Sequence, residues 1–345
     1  KLEDVVVHPA LGMEEPFRYR NKAQFPIQKV DGSPVIGIYK KKSHDIIPTD
    51  QCIIQHDVND KIIKIIKTYI RAYKVSVYDE KTHTGVLRHL VTKVGFTSKE
   101  VMVVLVDNGR KLPYLNELAS VLKENNPGFK TLVVNVKREK TNVILGNENR
   151  VIYGDGKIND NIGYLVFEIS PLSFFQVNPV QTEVLYNKAL EYAALGENDT
   201  VFDIYCGIGT ISLFLAQRAK KVYGIEIVEE AIKDAKRNAE INNLDNVEFY
   251  VGKAEDVVPK MYKQGKRANV VVVDPPRKGC DEKVLDTIVS MQPDRVVYVS
   301  CNPSTLARDL AYLNEKGYKS LEVQPVDMFP HSVHIENVAL IVKDK

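Results

Sequence analysis

The second half of the chain alternates short runs rich in β-branched residues with stretches that have helical spacing. The predicted strands are TVFDIYCG (200–207), KVYGIEI (221–227), NVEFYVGK (246–253), NVVVVDPP (269–276), RVVYVSCN (295–302), SLEVQPVDM (320–328) and ENVALIVK (336–343). The predicted helices lie between them, at 210–219, 228–243, 254–264, 281–290 and 303–316. This alternation is typical of a parallel sheet covered by helices. The last two strands are separated only by FPHSVHI, which predicts an antiparallel hairpin at the sheet edge.

The first half has another pattern. It contains strand-like runs at 101–107 and 131–137 and a helix near 57–74. Loops rich in Gly and Asn separate these elements, which predicts an α+β module. The length of 345 residues exceeds that of one typical domain. We therefore predict an α+β domain over 1–170 and the sheet domain over 171–345.

The net charge and the cysteine content limit the functional classes to which the protein can belong. The net charge is only +2, so a nucleic-acid surface requires a local cluster of cations. The segment from Arg18 to Lys42 has seven basic residues against one acidic residue, Asp31, and is either a solvated face or such a cluster. The four cysteines include no C-x-x-C pair, which speaks against a disulfide framework and predicts reduced thiols in the cytoplasm. With no apolar run near ~20 residues, we expect no membrane contact.

The segment VFDIYCGIGTISL predicts a ligand-binding turn between a strand and a helix. Gly207 and Gly209 allow the backbone to approach a ligand, and the helix begins near Thr210. Glu226 follows about 20 positions later, where a carboxylate accepts the hydroxyls of an adenosine ribose. The absence of a third glycine, and Asp274-Pro275-Pro276 after the fourth strand, favour S-adenosylmethionine over NAD. A plain turn and a simple strand stop are the structural alternatives.

Cys301 follows the fifth strand, at the carboxyl end of the predicted sheet. A thiol placed there is accessible to a substrate in an open α/β sheet, and the alternative is a buried, inert cysteine.

Five ordered motifs resemble the RNA 5-methyluridine methyltransferases, which modify 23S rRNA or the T-loop of tRNA. They are Phe175-Gln176-Val177-Asn178, Asp203-x-Tyr205-Cys206-Gly207-x-Gly209, Asp274-Pro275-Pro276-Arg277-Lys278-Gly279, Ser300-Cys301-Asn302-Pro303 and Pro330-His331-x-x-His334-x-Glu336. The resemblance implies a Rossmann-like S-adenosylmethionine-dependent methyltransferase sheet with an antiparallel last strand, preceded by an RNA-recognition domain. It also implies that Cys301 is the nucleophile and Glu336 the base. The cofactor contacts that it implies are Gln176, Tyr205, Gly207, Gly209, Glu226, Asp274 and Thr210, the last standing where some members have Asn.

The chemistry requires these residue types. Carbon 5 of uracil is too weak a nucleophile to attack a sulfonium methyl, and addition of a thiolate to carbon 6 activates it. A general base must then remove the carbon 5 proton. The target base has to leave its stack to reach such a crevice. We expect phosphate contacts from Arg18, Arg20 and Lys22, whereas Tyr19 and Phe25 are either stacking partners for bases or core residues.

Several alternatives remain open. In many members of the family the position of Cys52 holds the fourth ligand of an iron–sulfur cluster, so Cys52 is either such a ligand in a longer parent protein or simply a small apolar residue. We favour 23S rRNA as substrate, with the tRNA T-loop as the alternative, and expect a cytoplasmic monomer that binds no DNA. A non-catalytic RNA-binding or ribosome-assembly factor, a cytosine methyltransferase and a dinucleotide-dependent oxidoreductase are weaker hypotheses.

Overall fold

The computed structural model describes residues 4–344, which form two compact units. One unit contains residues 4–15, Ile162–Phe167 and residues 173–344, and the other contains Pro16–Asn161 and Glu168–Leu172. This division differs from the predicted one because residues 4–15 belong with the second half of the chain. The physical reason is a short strand near the amino terminus that pairs with the large sheet of that half. None of the helices in residues 4–344 has both the length and the apolar character needed to cross a membrane.

The elements follow in chain order. The strands are β1 Val6–Val7, β2 Lys22–Val30, β3 Ser33–Tyr39, β4 Ile46–Pro48, β5 Leu87–Val94, β6 Val101–Asp107, β7 Phe129–Val136, β8 Glu148–Tyr153, β9 Ile158–Ile162, β10 Leu165–Ile169, β11 Thr200–Ile204, β12 Lys221–Glu226, β13 Val247–Val251, β14 Val270–Val273, β15 Arg295–Ser300, β16 Tyr318–Val326 and β17 Glu336–Lys343. The helices are α1 Val58–Ala72, α2 Leu115–Asn125, α3 Pro179–Ala193, α4 Thr210–Ala216, α5 Glu229–Ile241, α6 Ala254–Lys263, α7 Glu282–Met291 and α8 Pro303–Glu315.

The larger sheet has the strand order β1-β16-β17-β15-β14-β11-β12-β13. Strands β11 to β15 run parallel, and β17 is antiparallel to both β15 and β16. The prediction of a methyltransferase-like sheet with an antiparallel last strand is confirmed. The predicted edge position of the hairpin is wrong in one respect, because β1 pairs in parallel with β16 and lies outside it.

Both faces of this sheet are covered. The four valines of β14 are all buried, as expected for a central parallel strand without a solvent face. Helices α6, α7 and α8 bury Val258, Ile288 and Leu310 in one core with the sheet, and α3 packs against β15, β16 and β17. The carboxyl ends of the parallel strands are thereby fixed relative to one another.

The other unit contains a seven-stranded sheet in the order β4-β3-β2-β5-β6-β7-β8. Its strands are antiparallel except for β6 and β7, which run parallel on either side of α2 in the chain. Helices α1 and α2 pack on this sheet through Ile62, Ile66, Leu118 and Leu122. The predicted helix and the two predicted strands of the first half correspond to α1, β6 and β7.

Candidate active site

The predicted catalytic groups lie at one edge of the larger sheet. Strands β11, β14 and β15 are parallel neighbours, so their carboxyl ends meet at the same edge. Asp274 directly follows β14, and Cys301 directly follows β15. Because β17 runs in the opposite direction, its first residue, Glu336, lies at this edge as well. Topology alone therefore brings a thiol and two carboxyl groups together.

Cys301 and Glu336 are related by strand register. Ser300 of β15 lies opposite Asn337 of β17, and the Asn337 side-chain amide donates to the Ser300 carbonyl at 3.3 Å. One further step along the antiparallel pair leads to Cys301 on one strand and Glu336 on the other. Directly opposed residues of an antiparallel pair project to the same face of the sheet. The two side chains are consequently placed to act on one substrate.

The carboxyl groups of the site are shifted toward their neutral forms. Glu336 is only 4% exposed, and burial, reinforced by the charge of Asp274, raises its pKa to about 8. Burial and the charge of Asp203 raise the pKa of Asp274 to about 7. Arg277 opposes the shift at Glu336. Near neutral pH these groups hold protons that small changes in the local charge can release.

The surroundings of Cys301 act on its thiol in opposite directions. Burial and the charges of Glu336 and Asp274 raise the thiol pKa, while the charge of Arg277 lowers it. Asn302 and Pro303 begin α8, because the Asn302 side chain accepts the Ser304 N–H at 3.1 Å and proline suits the first helical position. Cys301 therefore precedes the amino terminus of a 13-residue helix, where negative charge is favoured.

The turn after β11 contains three residues in the left-handed region. Tyr205, Gly207 and Gly209 have φ values of 72°, 55° and 81°. A Cβ atom at Gly209 would lie 3.0 Å from the Phe249 ring and 3.2 Å from the Ala235 side chain, so both tight packing and the positive φ favour glycine here. A Cβ at Gly207 would meet nothing within 4 Å. The space beside Gly207 is therefore open, as a cradle for a ligand has to be.

Glu226 ends β12 beside this turn. Its carboxylate accepts the Gly207 N–H at 3.2 Å and the Val228 N–H at 2.9 Å. These two bonds fix the orientation of the carboxylate, and a carboxylate has further acceptor positions for two hydroxyl groups. The geometry suits the ribose of a nucleoside.

Asp203 is a site residue to which the sequence analysis gave no role. One carboxyl oxygen accepts the Ser212 hydroxyl at 2.5 Å, and the other is buried without a hydrogen-bond partner among the described residues. Burial raises the pKa of Asp203 to about 7. A buried acceptor of this kind needs a donor, and a bound amine or hydroxyl supplies one. Its position two residues before Tyr205 was the available signal.

The remaining predicted cofactor residues differ in their surroundings. The Thr210 hydroxyl lies 2.9 Å from the Tyr186 hydroxyl, so it is hydrogen-bonded within the protein. Gln176 is buried just before α3. Asn178 begins this helix, since its side chain accepts the Gln181 N–H at 3.2 Å, and its amide donates to the Met328 carbonyl at 3.1 Å. The loop of Gln176 is thus tied to the segment that leads to Glu336.

A network of hydrogen bonds, buried at Asp309 and exposed at Arg308 and Asn302, holds the loop after β14 against α8. Asp309 accepts the Cys280 N–H at 2.8 Å and the Tyr298 hydroxyl at 2.6 Å. Arg308 donates to the Lys278 carbonyl at 2.9 Å, and the Asn302 amide donates to the Arg277 carbonyl at 3.0 Å. The loop that carries Asp274 and the helix that follows Cys301 are therefore braced together. The sequence analysis missed these roles because the partners are far apart in the chain.

The predicted RNA-contacting residues belong to the other unit and are not all free for contact. Arg18 donates to the carbonyls of Cys52 and Gln55 at 2.8 and 3.2 Å and lies 3.3 Å from the Asp60 carboxylate. Burial, with the charge of Arg20, lowers the pKa of Lys22. Tyr19 and Phe25 are each 1% exposed, so the stacking interpretation is wrong and both are core residues.

Cys52 lies after β4 as a half-buried free thiol. Within residues 4–344, no group of three or more His, Cys, Asp or Glu side chains is arranged to hold a metal ion.

Comparison with known proteins agrees with the geometry. A family model described as tRNA (Uracil-5-)-methyltransferase matches residues 13–344. An uncharacterized RNA methyltransferase of Clostridium tetani is 54% identical over 338 residues, covering 98% of this chain and 74% of that protein. One of Caldanaerobacter subterraneus is 53% identical over 335 residues, covering 97% and 74%. The crystal structure of the Pyrococcus abyssi tRNA (uracil-54, C5)-methyltransferase in complex with S-adenosyl-L-homocysteine is similar, with a TM-score of 0.82 and 32% identity, covering 98% of this chain and 79% of that one.

Proposed function

Because the chain belongs to the tRNA (uracil-5-)-methyltransferase family, we propose that it methylates carbon 5 of a uridine in RNA through a covalent bond to Cys301. Members of this family are S-adenosylmethionine-dependent RNA methyltransferases. The observation that carries the proposal is the register of β15 and β17, in which Cys301 and Glu336 follow the opposed residues Ser300 and Asn337. A nucleophile and a base on one face are what addition and elimination at a pyrimidine ring require.

We propose that the cofactor binds at the turn after β11. We propose that Glu226 accepts the ribose hydroxyls, that the open space beside Gly207 receives the nucleoside, and that Asp203 accepts a hydrogen bond from the ligand. Gln176, Tyr205, Gly209, Thr210 and Asp274 complete the proposed set. When bound, S-adenosylmethionine supplies an electrophilic methyl group for carbon 5.

The residues of the chain perform the remaining steps. The Cys301 thiolate adds to carbon 6 of the uracil, and the electron pair of the 5,6 double bond moves to make carbon 5 nucleophilic. After carbon 5 has gained its methyl group, Glu336 in its carboxylate form removes the carbon 5 proton. The released electron pair re-forms the double bond and expels the thiolate. The net products are 5-methyluridine, S-adenosyl-L-homocysteine and one proton, which Glu336 returns to solvent.

Two classes of RNA are candidates for the substrate. We propose 23S rRNA first, because the sequence pattern resembles that of the larger, cluster-associated members of the family. The similarity to an archaeal enzyme described as acting on tRNA supports tRNA as the second candidate. We further propose a cytoplasmic monomer, with Cys52 as the fourth ligand of an iron–sulfur cluster whose other ligands lie outside this chain.

The deciding experiment follows the methyl label to a nucleoside. The 345-residue chain, its Cys301→Ala variant and a Cys52→Ala control are each incubated with methyl-labelled S-adenosylmethionine and unmodified 23S rRNA or tRNA transcripts. Digestion should yield labelled 5-methyluridine with the unchanged chain and the control, and none with Cys301→Ala. The transcript that gains label identifies the substrate class. Label in another nucleoside, or label that persists without Cys301, would contradict the covalent uridine mechanism. Binding of both RNAs without labelling would support the non-catalytic alternative.

A further inference from the structure

One face of α1 carries mostly positive charge, and the one acidic residue of the helix, Asp60 in its first turn, is paired with Arg18. Residues 61–74 contain five basic residues and no acidic one: Lys61, Lys64, Lys67, Arg71 and Lys74. At ~100° per residue, the four that lie within the helix occupy an arc of roughly 120°. Four of the five are exposed, and Lys67 is half-buried. The opposite face is buried in the core through Ile62, Ile63, Ile66 and Ile70.

Most of this charge is not neutralised within the protein. Lys67 lies 2.5 Å from the Asp50 carboxylate. Lys61, Lys64, Arg71 and Lys74 form no ion pair within residues 4–344. Like charges one turn apart repel and destabilise a helix, so an arrangement of this kind has a cost for the isolated protein. A polyanionic partner would remove that cost.

An exposed aromatic pair lies at the carboxyl end of the same helix. The rings of Tyr73 and Tyr114 are stacked, with centroids 4.4 Å apart and an interplanar angle of 23°. They are 37% and 56% exposed, respectively. Lys111 and Tyr114 line an open hollow of about 630 Å³. Aromatic faces beside cations are typical of surfaces on which nucleobases stack.

We propose that α1 is an RNA-docking surface, in which Lys61, Lys64, Arg71 and Lys74 contact phosphates and the Tyr73–Tyr114 pair stacks on an unpaired base. This inference rests on the proposed function, which makes the substrate an RNA. The helix presents its cations over roughly 20 Å, at ~1.5 Å per residue, which is long enough to follow several phosphates. An anionic membrane fits less well, because a membrane-bound amphipathic helix inserts its apolar face, and that face of α1 is buried.

The test compares two matched fourfold variants of the 345-residue chain. The first is Lys61→Gln, Lys64→Gln, Arg71→Gln and Lys74→Gln, and the control is Lys236→Gln, Lys260→Gln, Lys263→Gln and Lys319→Gln. The control lysines are also exposed and lie on the other unit. Fluorescence anisotropy measures the Kd for labelled unmodified tRNA and 23S rRNA transcripts as a function of salt. Tyr114→Ala is tested separately.

The α1 variant should bind RNA roughly 10-fold to 100-fold more weakly at about 50 mM salt, with a log–log salt slope shallower by about 3. The control should change neither value, and Tyr114→Ala should weaken binding without changing the slope. Equal loss in both fourfold variants, or no loss in the α1 variant, would overturn the proposal. So would binding to phosphatidylserine vesicles but not to RNA. Formation of 5-methyluridine by the unchanged chain is scored separately, so failure of the proposed function remains distinguishable from failure of this surface.

Discussion

Cys301 and Glu336 each lie one register step beyond the last opposed residues of β15 and β17, Ser300 and Asn337. Burial raises the pKa of the Cys301 thiol and the charge of Glu336 raises it further, so the two side chains are electrostatically coupled. A carboxylate beside the thiol hinders formation of the thiolate, whereas a protonated Glu336 does not.

Glu336→Gln should stop the reaction after methyl transfer. The amide cannot remove the carbon 5 proton, so the bond between Cys301 and carbon 6 persists. We expect a protein–RNA adduct, stable in denaturing gels, that carries the methyl label. Glu322→Gln is the control, since Glu322 is a half-exposed carboxylate of the neighbouring β16 bonded to His8. Free 5-methyluridine at the normal rate from Glu336→Gln would rule out Glu336 as the base.

Alkylation of Cys301 should report the local charges in the absence of RNA. Glu336→Gln removes a charge that raises the thiol pKa, and Arg277→Gln removes one that lowers it. All proteins carry Cys52→Ala and are alkylated with iodoacetamide at about pH 8. Glu336→Gln should react roughly 3-fold faster than the parent, and Arg277→Gln roughly 3-fold slower. The reason is that one pKa unit corresponds to a tenfold change in the thiolate fraction. Equal rates in all three proteins would show that these charges do not act on the thiol.

Stability should decrease as the pH rises through the range in which the buried carboxyl groups ionise. Burial raises the pKa of Asp203 and Asp274 to about 7 and of Glu336 to about 8. The folded state therefore binds more protons than the unfolded state. These protons contribute to the unfolding free energy in full below pH ~4, and their contribution is lost as the pH rises through 7 to 8. Relative to the parent, Glu336→Gln should gain roughly 4 kcal/mol of unfolding free energy between about pH 5 and about pH 9. Urea unfolding at both pH values measures it, and a constant difference would contradict the raised pKa.

Two glycines of the turn after β11 should separate packing from ligand binding. Gly209→Ala places a methyl group 3.0 Å from Phe249 at a φ of 81°, so it should lower the unfolding free energy by roughly 2 kcal/mol. Gly207→Ala enters open space at a φ of 55° and should cost about 1 kcal/mol. It should nevertheless weaken S-adenosylmethionine binding, measured by calorimetry, by at least roughly 10-fold. Unchanged affinity in Gly207→Ala would place the cofactor elsewhere.

The sequence was most informative where local pattern and topology coincide. The valine-rich run of β14 and the helical spacing of α8 predict a buried strand and its helix, and parallel strands bring their ends to one edge. The positions of Asp274 and Cys301, directly after those strands, were therefore predictable. The place of β1 was not, because a two-residue strand has no periodicity and its partner β16 is more than 300 residues away.

Burial was the property that the sequence described least well. Tyr19 and Phe25 lie in a basic segment, and nothing in that segment distinguishes a stacking aromatic residue from a core residue. The sequence predicted that Arg18 contacts phosphate. In the folded protein, however, its guanidinium donates to the backbone carbonyls of Cys52 and Gln55. The hydrogen bonds of Asp309 could not be predicted either, because no local sequence pattern relates it to its partners Cys280 and Tyr298.

The position of β17 also determines the order in which the site can be assembled. It is the last strand of residues 4–344, yet it lies between β15 and β16 in the sheet. During synthesis Cys301 is therefore made before Glu336, and β15 and β16 have no shared neighbour until β17 inserts between them. In the proposed mechanism, a chain interrupted before Glu336 would retain the thiol and the turn after β11 but would have no group to complete the elimination. Under that mechanism, completion of the sheet and acquisition of turnover are one event.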